Sequence, residues 1–569
     1  MRVVTSAVWL TLAFVAGSLQ AAPPPAAAPA PVPEVALAPQ INATDFATFD
    51  KTLSSDAFGG RKPGTIGEQR TTAWLVEQFK RMGLQPGNHG SWFQTVPADS
   101  ITLLNPDVRL RITAHGKDTS FAYRTDMMVQ TLQAKPLIDL KHSPVLFLGY
   151  GVDAPNWHWN DYKGVDVKGK TVIVLVNDPG FASGDPKLFN GRAMTYYGRW
   201  IYKYAEAALQ GAAACFIVHT SDAAAGYPFS VLQNSGSGPQ LSLPLSVDPS
   251  PRLPVAGWLT HAAATRLFAA AGLDFDQLAK QAAKPGFKPV PLDVTASVTL
   301  HNRIGHIESH NVLAMVPGAG KPDEALVYTA HWDHLGTDRT LKGHQVYSGA
   351  IDNGTGLSML LEIAGAFAQQ RTPPERSILF FMPTLEESGL LGSQYYAARP
   401  AFPLNKTVAD IAVDALPIIG RAHDMTVIGK GQSQLEDMLA DVLKGQGRVI
   451  SPETTPENGF YFRSDHFNFA RAGVPAMLAS SGLDLLAGGR AAGQAAAADY
   501  TAHRYHTPRD VFDPHWDYSG ILEDTQALYE LGQYLSHAGV WPQWYPDSPF
   551  RARREAMMAP PAKPAPPTR

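Results

Sequence analysis

Ala325-Leu326-Val327-Tyr328-Thr329-Ala330-His331-Trp332-Asp333-His334 is an uncharged run that breaks off on two imidazoles and a carboxylate. The run reads as a buried strand, and it delivers His331 to the strand's end, where loops of α/β proteins carry chemistry. Downstream comes Ser348-Gly349-Ala350-Ile351-Asp352-Asn353-Gly354-Thr355-Gly356, then a Leu- and Ala-rich helix expected over 357–369. A second apolar strand, expected over 377–383, ends in Thr384-Leu385-Glu386-Glu387-Ser388-Gly389. Strand, polar loop, helix, strand, polar loop is the alternation of a parallel sheet with its site at the carboxyl ends of the strands.

Working outward, Ser309 to Val316 reads as another buried strand, and the chemistry-bearing region continues to about residue 539. Before it, residues 42–135 carry Arg61-Lys62-Pro63-Gly64-Thr65-Ile66-Gly67 and a helix over 68–82 with Trp74, Leu75, Phe79 and Met82 at helical spacing. Gly83 stops that helix. From about 143 to 290 the character changes: short β runs alternate with Gly, Asp and Pro, and the residues of chemistry vanish, as in a separate inserted domain. Cys215, the one cysteine, sits between Ala212-Ala213-Ala214 and Phe216-Ile217-Val218 and is expected to be an inert thiol on a buried strand.

At 569 residues with 45% hydrophobic content, the chain can bury ample core and is expected to form two or more domains. A net charge of −4 without a clustered basic face argues against a nucleic-acid partner. Met1-Arg2, the apolar run from Ala7 to Ala16 and the small residues Ser18, Ala21 and Ala22 read as a signal peptide over 1–22, too short to span a membrane. The chain is therefore expected to be exported, to the periplasm or the medium. A Pro/Ala-rich linker is expected over 23–41 and a disordered tail over 541–569.

His331, Asp352, Glu387, Asp414 and His506 lie on successive loops and offer imidazole nitrogen and carboxylate oxygen, the donors that suit zinc. Taken singly, each is more simply a turn, cap or helix-start residue. Five together exceed one tetrahedral ion and suit two ions about 3.5–4 Å apart that share a bridging carboxylate. Asp333, two residues from His331, is expected to accept the imidazole's second N–H and fix its tautomer, which leaves Glu386 free as a base. His334, His466 and Asp510 read as orienting or structural groups, and the scattered Trp residues as core.

The blocks Ala330-His331-Trp332-Asp333-His334-Leu335-Gly336, Gly349-Ala350-Ile351-Asp352-Asn353, Glu386-Glu387-Ser388-Gly389-Leu390-Leu391-Gly392-Ser393, Arg463-Ser464-Asp465-His466 and Tyr505-His506-Thr507-Pro508 resemble the M28 family of zinc peptidases. The resemblance covers roughly residues 42–540, because 143–290 is similar to the protease-associated (PA) domain that many members carry. It implies an α/β zinc-exopeptidase fold, three-layered with a mixed central sheet, plus a β-rich PA insertion between peptidase parts at 42–142 and 291–540. It further implies two Zn2+ ions, with Asp352 bridging, Glu387 and His506 on one, His331 and Asp414 on the other. Glu386 would be the general base for a metal-activated water, Tyr505 a donor to the oxyanion, Arg463 a neighbour of the substrate, and the Asp352–Asn353 peptide cis. Ala412 departs from the family pattern, which has Asn two residues before the ligand matching Asp414, so altered surroundings are expected there. The implied activity is a secreted aminopeptidase acting on peptides. A carboxypeptidase of the same family, with Arg463, Arg504 or Arg509 clamping the carboxylate, stays open, as do a non-catalytic binding protein and a one-zinc acyl transferase on this scaffold. Oligomeric state is left undetermined.

Overall fold

The computed structural model of the chain describes residues 35–537, 539 and 541–559. The expected signal peptide and residues 23–34 of the expected linker lie outside these.

Four mutually parallel strands form the centre of the main sheet: Arg376–Met382, Lys321–Thr329, Thr407–Val413 and Ala476–Ser481, in that spatial order. Antiparallel strands flank them on both sides. Val290–Val316 and then Phe93–Leu103 extend one edge, and Asp424–Ile428 with Val449–Pro452 the other, so the sheet is mixed, as expected. Along Lys321–Thr329 the pleat sends Leu326 and Tyr328 to one face and Val327 to the other. The first face is covered by helices Ile66–Met82, Gly356–Gln369 and Ser519–His537; the second by Leu391–Ala398 and His466–Ala472. Strands covered on both faces are largely apolar, and Arg376–Met382 and Thr407–Val413 are buried at every position, the polar Arg376 and Asp410 included. The result is the expected three-layered α/β architecture. Gly83 ends its first long helix in the left-handed conformation, at φ 85°, with its N–H returning to the carbonyls of Lys80 and Phe79.

A second sheet holds Thr171–Leu175, Ala214–His219 and Val255–Thr260, with apolar cores on both of its faces. It also takes in Arg109–Ala114, Lys117–Ala122 and Met127–Gln130, which precede the expected start of the insertion at 143, and Leu137–Phe147, which straddles it. Their alternation of buried and exposed residues resembles that of any half-covered strand, so nothing local in the sequence assigns them to one sheet or the other. The 27-residue strand Val290–Val316 belongs to both sheets: its first half pairs with Leu137–Phe147 and its second with Phe93–Leu103. Cys215 is fully buried in the second sheet, and burial pushes its thiol up to about 12, as an inert core thiol requires.

The expected disordered tail is corrected in its first part. Trp544 and Phe550 are buried against Tyr461 and Phe467, and helix Arg551–Met558 docks with Arg554 donating to the carbonyls of Leu404 and Thr407. Two aromatic anchors in a Pro- and Arg-rich segment outweigh its polar composition. No helix among the described residues is long and apolar enough to cross a membrane.

Candidate metal centre

Three adjacent parallel strands bring the expected donors together at their carboxyl ends. His331 follows Lys321–Thr329, Glu386 and Glu387 follow Arg376–Met382, and Asp414 follows Thr407–Val413. Asp352 enters from the loop before helix Gly356–Gln369, and His506 from the loop after Gly489–His503. Gly349 permits the Asp352 loop: its φ is 58°, and a Cβ there would lie 2.2 Å from the Asp352 carbonyl oxygen. The Asp352–Asn353 peptide is cis, as the family resemblance implied.

The two oxygens of Asp352 face two different imidazoles. His331 Nε2 lies 3.3 Å from Asp352 Oδ1 and 3.2 Å from Asp414 Oδ1. His506 Nε2 lies 3.1 Å from Asp352 Oδ2 and 3.1 Å from Glu387 Oε2. Histidines hydrogen-bonded to a carboxylate elsewhere in the chain stand closer: His261–Asp276 and His344–Asp56 are both at 2.8 Å, and His306–Asp99 is at 2.7 Å. Two donors on one tetrahedral zinc, each with a bond of about 2.0–2.1 Å, are about 3.3 Å apart. The spacing in the site therefore fits donors that share a divalent cation.

Electrostatics point the same way. Asp352, Glu386, Glu387 and Asp414 crowd one site, with Asp333, Asp465 and Asp510 close behind. Burial and the charges of Asp414, Glu387 and Asp465 push the Glu386 carboxyl well above its usual range, against the pull of His331. Burial would lower His331 and His506, yet the neighbouring carboxylates raise both. Burial would likewise raise Asp352, and hydrogen bonds from His331 and His506 hold it well below. So much buried negative charge calls for cations.

Asp333 does not play the expected part toward His331. His331 Nδ1–H donates to the Asp333 backbone carbonyl at 3.1 Å, while the nearer carboxylate oxygen is 3.9 Å away. Two residues along the chain the carbonyl reaches the ring first, and the carboxylate instead accepts the Glu386 N–H at 3.1 Å. The tautomer is fixed all the same, with Nε2 left facing Asp352 and Asp414. His334 joins a close trio with Asp352 and Glu387, but its Nδ1 is hydrogen-bonded to Glu387 at 2.5 Å, whereas His506 Nε2 is equidistant from two carboxylates. Both imidazoles therefore border Glu387, His334 through a short hydrogen bond and His506 midway between Glu387 and Asp352. Tyr505 stacks on His506 with ring centroids 3.9 Å apart; burial and the four site carboxylates push its hydroxyl well above the usual range. Asp510 accepts the N–H groups of Ile351 and Asp352, both at 3.1 Å. Around Ala412, Asn353 takes over the bracing, with Nδ2 donating to the Val413 carbonyl and Oδ1 accepting from the Ala415 N–H. His466 is fully buried beside Tyr461 and outside the donor cluster. The clustered donors among the described residues all lie outside 143–290.

Arg61 is the group that motif reading missed. It is fully buried, and its five N–H groups meet five backbone carbonyls: Trp332 from Nε, Leu53 and Ser348 from Nη1, Gly349 and Asp352 from Nη2. One side chain thereby ties the His331 loop to the Asp352 loop. Its partners are main-chain atoms far along the chain, so no residue type in the sequence marks it.

The site is thus a donor cluster at the strand ends of a mixed sheet with helices on both faces. Residues 311–529 match peptidase family M28. The chain is 35% identical over 141 residues to aminopeptidase NAALADL1 of Mus musculus, a stretch covering 23% of this chain and 17% of the relative. It is 28% identical over 176 residues to leupeptin-inactivating enzyme 1 of Streptomyces exfoliatus, covering 31% of this chain and 36% of the relative. Well under half of each curated relative's length is therefore matched. Among solved structures, the aminopeptidase from Aneurinibacillus sp. strain AM-1 aligns over 87% of this chain and 94% of its own, at 19% identity and a TM-score of 0.48.

Proposed function

We propose that the protein is an exported two-zinc exopeptidase that releases N-terminal residues from peptides. The observation that carries this is the pair of 3.1–3.3 Å donor sets sharing Asp352, with Glu386 beside them. His331, Asp352 and Asp414 would hold one ion, and Asp352, Glu387 and His506 the other. Zinc bound there supplies Lewis acidity, which lowers the pKa of water toward neutrality and polarises a carbonyl.

The chain's own groups do the rest. Glu386, 10% exposed and 3.9 Å from His331 Nε2, takes the proton of the attacking water and returns it to the departing amine. The Tyr505 hydroxyl donates to the oxygen that becomes negative as the carbonyl carbon turns tetrahedral. Glu386 and the partly exposed Asp414 leave an anionic wall that suits a substrate's α-ammonium, which supports the aminopeptidase over the carboxypeptidase reading. The 143–290 region is proposed to be a PA-type insertion that borders the substrate and supplies no zinc ligand.

The test compares a leucyl peptide with its N-acetylated and C-amidated forms, before and after chelation. Loss of activity on chelation, recovery with zinc and resistance of the N-acetylated form are expected. Cleavage that survives N-acetylation but stops on C-amidation would instead establish a carboxypeptidase.

A further inference from the structure

Gln240-Leu241-Ser242-Leu243-Pro244-Leu245-Ser246-Val247-Asp248 places an apolar residue at every second position, the pattern of a half-buried strand. The segment lies within 143–290, but it does not join the second sheet. Its strand Gln240–Ser242 pairs antiparallel with Phe93–Leu103 of the main sheet, Leu241 opposite Ser100. This crossing seats Leu243, 2% exposed, in one apolar cluster with Val96 and Ala98 of that strand and with Leu385 and Leu391, and Val247 packs against the same cluster. One step further, Asp248 accepts from Gln394 Nε2 at 3.0 Å, on helix Leu391–Ala398. Arg252 keeps the segment in shape, since its Nη2 donates to the carbonyls of Leu243 and Asp248 at 2.5 and 3.3 Å.

Leu385 and Leu391 bracket the turn that bears Glu386. Leu385 is fully buried at φ 56°, in the left-handed region where a Cβ crowds the backbone. Such a conformation persists only where its surroundings hold it. The turn closes on itself: the Leu391 N–H donates to the Leu385 carbonyl at 3.1 Å, and the Leu390 N–H to the Glu386 carbonyl at 2.9 Å. The direction of the Glu386 side chain therefore follows from how the two ends of the turn are seated. At residues 390–393 the main domain holds it, with Asp465 accepting from Ser393 Oγ at 2.5 Å and Asn468 Nδ2 donating to the Leu390 carbonyl at 3.0 Å. The Leu385 side chain is held by the cluster that Leu243 completes. We propose that Leu243 and Asp248 are positioning residues for Glu386: the 240–248 arm clamps the turn so that the carboxylate meets the attacking water. The inference rests on Glu386 acting as the base of the proposed peptidase, and it gives the region 143–290 a part in the chemistry without contact to substrate or metal.

The experiment has two readouts on the zinc-loaded full chain: kcat and KM for a leucyl peptide, and amide hydrogen exchange of residues 384–392. Leu243→Ala is expected to lower kcat about 10- to 100-fold, with KM and bound zinc changed less than about twofold, because the base is misplaced while the binding groups are not. Exchange in 384–392 is expected to quicken by about tenfold or more as the turn loosens. Leu243→Met should restore most of both. Asp248→Ala, which removes one partly exposed hydrogen bond and leaves the core intact, should move both readouts the same way by a smaller factor. Leu267→Ala removes an equally buried leucine from the core of the second sheet, outside the cluster, and should leave kcat and the exchange of 384–392 unchanged. Unchanged kcat in both Leu243→Ala and Asp248→Ala, or an equal loss in Leu267→Ala, would overturn the clamp. Exchange needs no substrate, so a protein that cuts no peptide yet shows the loosened turn in Leu243→Ala would refute the peptidase reading and uphold the clamp on the turn.

Discussion

Replacing Arg61 by lysine keeps the buried charge and removes the fork. Arginine meets five buried carbonyls with five N–H groups; an ammonium has three, so at least two carbonyls lose their donors. A buried polar group stripped of its partner costs about 1–3 kcal/mol, which places the loss at about 2–6 kcal/mol. The same carbonyls belong to Trp332, Ser348, Gly349 and Asp352, which flank or include proposed ligands. Zinc affinity should therefore fall as well, by about 10- to 100-fold, as when groups that orient ligands are lost. Urea unfolding of the metal-free protein reads the first effect, and zinc titration against a competing chelator reads the second. Stability within about 0.5 kcal/mol of wild type, together with unchanged zinc affinity, would refute the role assigned to Arg61.

The acid–base and ligand roles separate by substitution. Glu386→Gln should retain zinc and lower turnover about 10²- to 10⁴-fold, whereas Glu387→Gln and His506→Ala should lose metal too; equal metal loss in all three, measured by elemental analysis, would erase the distinction. His466 should make the protein acid-sensitive. Burial lowers its folded pKa to about 3 from the usual 6.5, so its contribution is complete above pH 6.5 and is lost as pH falls toward 3. The slope it adds is at most about 1.4 kcal/mol per pH unit, and it should vanish in His466→Leu when unfolding is followed between pH 7 and 4.

What the sequence showed of this fold follows from how local each signal is. The strand before His331 and the helix after Asp352 announce themselves through apolar runs and punctuating glycines, and the structure places them at Lys321–Thr329 and Gly356–Gln369. The donor set was legible because imidazole and carboxylate at strand ends are rare in combination. The tether from Arg61 and the braces from Asn353 and Asp465 were not, since each acts through a partner distant in sequence. Asp333 was misjudged for a finer reason: residue spacing fixes which side chain is near His331 but not whether its carbonyl arrives first. The second sheet starts earlier than composition suggested, because the strands of 109–147 carry no mark of which sheet they join. The docking of Trp544 and Phe550 depends on an apolar socket around Tyr461 and Phe467 that only the fold creates.

The most direct measurement titrates zinc into the metal-free protein while following hydrolysis of a leucyl peptide with a free N-terminus. Two zinc ions bound per chain, with activity appearing only as they bind, is the predicted result. Activity in the rigorously metal-free protein, or a full complement of zinc that leaves the peptide uncut, would contradict the central claim.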